Sequence, residues 1–202
     1  MLGRGRNSRA ALTAVEEIRL IAGAKHGDHG AFESLVESYM GKAIGVAVGY
    51  VGNRDEAIDM AQEAFYRVFK NLDRFREGER FAPWFFRILR NACLNHLQKR
   101  KRRRAFSYHA RDEGESDFPI VDGSLGPADR AELTEEQRQF WIALEELSLK
   151  HREILLLRHF EDLEYAAIAE VLDIPIGTVM SRLFHARRKL RDALADYMET
   201  QG

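Results

Sequence analysis

Apolar residues in this chain recur at steps of three and four over two long stretches, from about Val15 to Arg104 and from about Ala131 to Met198. No segment alternates apolar and polar residues over the length of a strand, so the pattern predicts an all-α protein. In the first stretch, VEEIRLIAGAKHGDHGAFESLVESYMGKAIGVAVGYV reads as two or three helices punctuated by Gly27 and Gly30. Gly41, Gly45 and Gly49 then share one face at a spacing of four. Each costs about 1 kcal/mol against alanine unless close packing offsets it, which predicts a tight intramolecular contact. Lys42 and the short length argue against a membrane pairing face. The next helix, RDEAIDMAQEAFYRVFKNL, turns Ile58, Ala61, Phe65, Val68 and Leu72 inward and leaves Asp55, Asp59, Gln62 and Glu63 outward. On a helix through residues 84–100, Phe85, Ile88, Leu89, Ala92 and Cys93 line one side. Arg87, Arg90, Asn91 and Gln98 line the other, with Asn95 at the border.

The second stretch ends in two short amphipathic helices meeting at a tight turn. Ile168, Ala169 and Leu172 form an inward stripe, Asp173-Ile174-Pro175 breaks the pattern, and Val179, Leu183, Ala186, Leu190 and Ala193 resume it. Met180, Ser181, Phe184, His185, Arg188 and Arg191 fall on the outward and flanking arcs. This is a helix-turn-helix pattern, able to bury one side and offer the other to a major groove about 12 Å wide. A plain helical hairpin with a solvated basic face would give the same periodicity.

Between the stretches, AFSYHARDEGESDFPIVDGSLGPADR carries Gly114, Gly123, Gly126, Pro119 and Pro127 among many acids and no sustained period. It predicts a flexible acidic linker over 105–130. The expected organisation is a basic tail (1–14), a helical domain (15–104), the linker, and a second helical domain (131–202), and 202 residues suit two such small domains. Charge sharpens this division. The net charge of −1 conceals 20 Lys and Arg against 12 Asp and Glu in residues 1–104, 3 against 9 in 105–140, and 8 against 11 thereafter. A basic domain, an acidic connector and a cationic helix suit a nucleic-acid binder that also meets a protein. No apolar run approaches the roughly 20 residues of a membrane span, and the N-terminus lacks a signal-peptide core. The expectation is a cytoplasmic protein with no membrane insertion. The single cysteine, Cys93, has no partner for a disulfide or a CxxC zinc site and is expected in the core.

The candidate chemistry lies on helix faces. Asp55, Asp59, Gln62 and Glu63 admit a metal site, a solvated face or a protein-docking face, but the Glu-x-x-His pairs of a di-metal bundle are missing. Asparagine presents donor and acceptor to a base edge, arginine neutralises phosphate, and an aromatic can stack on an unpaired base. Arg87, Arg90, Asn91 and Asn95 with Trp84 therefore form a candidate reading surface, and the loop from Phe75 to Arg80 could enclose a base. The bland alternatives are a core role for Trp84 and Phe86 and a solvated run over Lys99–Arg104. No GxxxxGK[ST], HExxH or GxSxG motif occurs, and the scattered histidines, including His26 and His29, make weak ligands.

Taken in order, these motifs resemble the extracytoplasmic-function (ECF) sigma factors, the small two-domain group of the sigma-70 family. GTVMSRLFHARRKL is similar to the recognition helix of the promoter-binding C-terminal domain, and FEDLEYAAIAEVLDIP to its supporting helix. Asp59-Met60-Ala61-Gln62-Glu63 with Phe65 resembles the segment that docks on the clamp helices of the RNA polymerase β′ subunit. RFREGERFAPWFFRILRNACLNHLQKRKRRR resembles the part that melts and captures the minus-ten element. The likeness covers about residues 16–104 and 134–195. It implies a non-enzymatic sigma factor without metal or cofactor, whose partners are core polymerase (β′ clamp helices and β flap), promoter DNA and an anti-sigma factor. By matching position, Asp59, Gln62, Glu63 and Phe65 would bind core. Arg76, Trp84, Arg87, Arg90, Asn91 and Asn95 would take minus-ten DNA, with the loop Phe75 to Phe81 holding a flipped base. Met180, Ser181, Arg182, Phe184, His185, Arg187 and Arg188 would take the minus-thirty-five element. Three positions depart from the family pattern: Met180 where Lys or Arg is usual, Glu164 where a Ser or Thr cap is usual, and Asp173 where Gly or Asn is common. A self-sufficient repressor or activator with the same helix-turn-helix is the rival reading, and an enzyme acting on nucleic acid a more distant one.

Overall fold

The computed structural model describes residues 12–76, 78–108, 134–161 and 163–200. Among them are eight α-helices and no strand. Four belong to the first domain: α1 (Ala14–Lys25), α2 (His29–Val51), α3 (Arg54–Asn71) and, after a single 3-10 turn (Leu72–Arg74), α4 (Phe81–Tyr108). Four belong to the second: α5 (Glu135–Glu145), α6 (Leu149–Glu161), α7 (Tyr165–Leu172) and α8 (Ile176–Thr200). Their starts are set by capping side chains. Thr13 accepts from the Glu16 amide while the Glu16 carboxylate accepts from the Thr13 amide, and Thr134 and Gln137 repeat the box at α5. Asp28 and Asn53 cap α2 and α3. The predicted tail falls mostly on residues 1–11, outside those described, and α1 already begins at Ala14. α4 continues four residues past Arg104, into the segment predicted as linker. The rest of the linker lies outside the described residues.

The first core is built on aromatic rings. Phe81, Phe85, Phe86 and Leu89 of α4 are fully buried against Leu35 and Ala47 of α2 and Ala61 and Ala64 of α3. Phe65 packs tilted on Phe85 at 4.7 Å, and Tyr39 meets Phe81 edge-on at 5.1 Å. Cys93 is buried in this core, as expected, and burial pushes its thiol up to about 12. The second core gathers Leu144, Ile154, Leu157, Ile168, Val179, Leu183 and Ala186.

The two domains pack on one another, α6 against α2 and α7 against α4. Here the glycine face finds part of its explanation. A Cβ on Gly49 would lie 2.1 Å from Leu156 Cδ1, so the bare backbone lets α6 close onto α2. Gly41 faces open space, so the tight contact is made at Gly49 and it is made with the other domain. Arg152, buried, donates to the Leu144, Glu145 and Leu147 carbonyls at the end of α5 and also to the Gly49 carbonyl (3.3 Å). One side chain thereby caps a helix of its own domain and grips a helix of the other.

Candidate nucleic-acid interface

On α4, Asn91 and Asn95 are exposed, while Phe85, Leu89, Ala92 and Cys93 face inward as the periodicity required. Asn91 and Trp84 border an open pocket of about 270 Å³ whose other walls are Arg67, Asn71, Arg74 and Ile88. Three of the six lining residues come from the end of α3 and the turn after it. Asn71 donates to the Arg67 carbonyl (2.8 Å), which fixes its amide, and Trp84 is half-buried against Phe75 (5.0 Å) and Phe81 (5.9 Å). Cations, amides and one indole around a small opening form a site able to stack and hydrogen-bond a single unpaired base. The loop Phe75–Phe81 is pinned at both ends, since Phe75 and Phe81 are buried, and Lys25 donates to the Phe75 carbonyl. Between these anchors Arg76, Glu79 and Arg80 are exposed, and Gly78 adopts φ 86°.

On α3, Asp59 and Gln62 are exposed and Glu63 is half-buried, paired with Arg67 at 2.7 Å. Phe65 is buried on Phe85 and supports this face from beneath. The exposed aromatics of the helix are Tyr66 and Phe69, the latter held by Phe32 (5.2 Å) and His29 (6.4 Å). They extend the Asp59–Gln62 stripe at helical spacing.

The helix-turn-helix forms as the pattern required. Asp173 takes the left-handed conformation (φ 54°, ψ 52°), its amide and that of Ile174 both returning to the Ala169 carbonyl, which closes α7. The Pro175 carbonyl accepts from Thr178 and Val179 and opens α8. Glu164, at the cap of α7, makes no capping bond; its carboxylate pairs with Arg80 of the first domain at 3.0 Å. Along α8, Met180, Ser181, Phe184, His185, Arg187 and Arg188 are exposed, and Phe184 meets His185 edge-on at 5.4 Å. The cations here are felt by their neighbours. His151 is held below the ordinary histidine value by burial and then by Lys189, Arg182 and His185. Among the described residues, no cluster of three His, Cys, Asp or Glu could hold a metal ion, and no helix is long and apolar enough to cross a membrane.

This geometry coincides with two family models. Residues 35–103 match Sigma-70 region 2, and residues 137–190 match Sigma-70, region 4. The RNA polymerase sigma-H factor of Pseudomonas aeruginosa is 36% identical, over 91% of this chain and 96% of its own length. The ECF RNA polymerase sigma factor SigW of Bacillus subtilis is 33% identical, over 85% and 93%. The chain belongs to the ECF sigma factors of the sigma-70 family. The fold agrees with a solved relative, the sigma factor RpoE of Bartonella quintana in complex with the anti-sigma factor NepR, at TM-score 0.64 and 26% identity, over 81% of this chain and 96% of that one.

In this sigma factor not all the sequence-chosen DNA residues are free. Arg87 donates through Nε (3.1 Å) and Nη2 (2.6 Å) to the Glu170 carbonyl, and Arg90 pairs with Glu153 at 3.0 Å. Arg182 lies 3.6 Å from the same Glu153. Sequence reasoning missed Arg67, Asn71 and Arg74 as pocket walls. Their spacing of four and three would have placed them together had the outward stripe of α3 been followed to its end. It missed Tyr66 and Phe69 for the same reason. Nothing local marks Glu153 as a meeting point.

Proposed function

We propose that this sigma factor binds core RNA polymerase through α3 and directs promoter-specific initiation, with α4 and its preceding loop on the minus-ten element and α8 on the minus-thirty-five element. The observation that carries the division of labour is the pocket bounded by Arg67, Asn71, Arg74, Trp84, Ile88 and Asn91. It suits one flipped base of a melted strand, whereas α8 offers a convex face suited to intact duplex. Asp59, Gln62 and Glu63, with Tyr66 and Phe69 beside them, supply the mixed polar and apolar character of a protein-docking stripe. In this reading the protein is not an enzyme: it positions polymerase and DNA in the cytoplasm and leaves the chemistry to polymerase. The Bartonella relative was solved with an anti-sigma factor, and by likeness an anti-sigma factor is an expected partner here. The test is in vitro transcription with purified core polymerase and a promoter library. Alanine at Asp59, Gln62 and Glu63 together should weaken core binding with helicity intact. Tight promoter binding by the chain without polymerase would instead favour a self-sufficient repressor or activator.

A further inference from the structure

Lys25, the last residue of α1, is half-buried, and its partner lies 50 residues further along the chain. A cation at a helix C-terminus ordinarily serves the last carbonyls of its own helix. Here His26 does that: its amide donates to the Gly23 carbonyl (3.0 Å), and its Nδ1 lies 2.8 Å from the Ala22 carbonyl. Lys25 instead donates to the Phe75 carbonyl and holds its ammonium 5.9 Å over the Phe75 ring. The corner that carries it is fixed locally. Gly27 takes φ 87°, the Asp28 amide returns to the Gly23 carbonyl (3.0 Å), and Asp28 Oδ1 caps α2 at the Ala31 amide (3.1 Å). A Cβ on Gly23 would come within 3.1 Å of Ala31 Cβ, so α1 and α2 meet closely there.

The receiving end is equally constrained. Phe75 is 4% exposed, and its amide donates to the Leu72 carbonyl (3.0 Å), which closes the 3-10 turn. Its carbonyl takes its donor from Lys25 as the chain leaves the turn in extended form (φ −66°, ψ 124°). A buried carbonyl is costly to leave without a donor, so this bond fixes the peptide plane between Phe75 and Arg76. The Phe75 ring lies 5.0 Å from the Trp84 indole, and Trp84 is a wall of the pocket that Asn91 borders. Lys25 is not itself a pocket wall. It holds the ring that packs on one wall and the carbonyl from which Arg76 departs.

We propose that Lys25 is a positioning residue for minus-ten recognition: from α1 it fixes the Phe75 carbonyl and ring, and through them the Trp84 wall of the base pocket and the direction in which Arg76 leaves. This role rests on the reading of that pocket as the seat of an unpaired base. A lysine near a DNA face has an alternative use, as a direct phosphate contact. The double engagement with Phe75, through its carbonyl and its ring, favours positioning, and the two uses differ in salt dependence.

The test uses holoenzyme and a single-stranded minus-ten oligonucleotide made abasic at one position at a time. In wild type one abasic position should weaken binding by about fivefold to a hundredfold, the worth of one stacked base. Lys25→Met keeps the length of the side chain and loses the donor. Its holoenzyme should bind the intact oligonucleotide nearly as weakly as the abasic one, a residual penalty of about twofold or less in the cycle. Core affinity, helicity and the salt slope should stay at wild-type values. Lys25→Gln, too short to hold the carbonyl, should behave like Lys25→Met, and Lys25→Arg, which keeps a cationic donor, should retain the penalty. Three results would overturn the role. The first is a full abasic penalty in Lys25→Met and Lys25→Gln. The second is a salt slope lower by about 0.7, the signature of one lost phosphate contact on a single strand. The third is a loss of core affinity in step with oligonucleotide binding, which makes Lys25 an ordinary structural residue. A wild-type holoenzyme indifferent to abasic sites at every position would instead strike at the pocket reading itself.

Discussion

Ile176, Met180 and Phe184 stand at a spacing of four on the recognition helix, and they are 51%, 55% and 65% exposed. Eight residues of helix rise about 12 Å, or about three base-pair steps at about 3.4 Å each. Within a major groove the apolar feature available to such side chains is the C5-methyl of thymine. We therefore expect α8 to read thymines at the positions that Met180 and Phe184 reach, with the arginines beside them on the phosphates. The perturbation is chemical: uracil in place of each thymine, on either strand, in a duplex carrying the minus-thirty-five element that the holoenzyme selects. Burying one methyl is worth about 0.8 kcal/mol, so each contacted thymine should cost about fourfold in affinity, and three together about 2 kcal/mol. Phe184→Ala should lower affinity for the thymine duplex and erase the penalty for uracil at its own position, a coupling read from a double-mutant cycle. Met180→Arg should tighten binding to duplex at low salt and steepen its salt dependence, while losing methyl discrimination at the position it serves. Competition binding at fixed salt measures all of these. Uracil bound as well as thymine at every position, or a Phe184→Ala loss identical for both bases, would refute the reasoning.

Asn91→Ala should slow open-complex formation more than closed-complex binding, followed with a fluorescent minus-ten probe, because its pocket suits an unpaired base; equal loss at both steps would make the residue structural. Cys93, with its thiol pushed up to about 12, should resist alkylation at pH 8 in the folded chain and react at an ordinary rate in urea. Glu164→Thr exchanges an exposed ion pair with Arg80, worth about 0–1 kcal/mol, for a side-chain cap worth about 0.5–2 kcal/mol, so the urea midpoint should rise or hold, and a clear fall would contradict the weighing. His151 is depressed when folded, so the unfolded chain binds its proton more readily, and its contribution to stability is lost as pH falls below about 6.5. Phosphates screening Lys189 and Arg182 should raise its NMR titration midpoint on duplex addition.

What could be read from the sequence was what repeats locally. The buried side of α4 and the inward stripe of α8 follow from a 3.6-residue period, and the turn at Asp173-Ile174-Pro175 follows from the break in that period and from Pro175, which cannot continue a helix. The same period turns Arg90 away from its own domain's core, and the family likeness puts Arg182 on the DNA side of α8. Neither carries information on what stands opposite. Their counter-charge, Glu153, sits in the run REILLL, where a lone acid among leucines looks like an ordinary surface position, and its tyrosine partner lies 103 residues away. Gly49 gave a hint, since a glycine in a helix interior calls for a close neighbour, yet only the folded chain identifies that neighbour as Leu156. The guanidinium groups of Arg90 and Arg182 meet the Glu153 carboxylate with the same planar donors and full positive charge that a phosphate would ask of them.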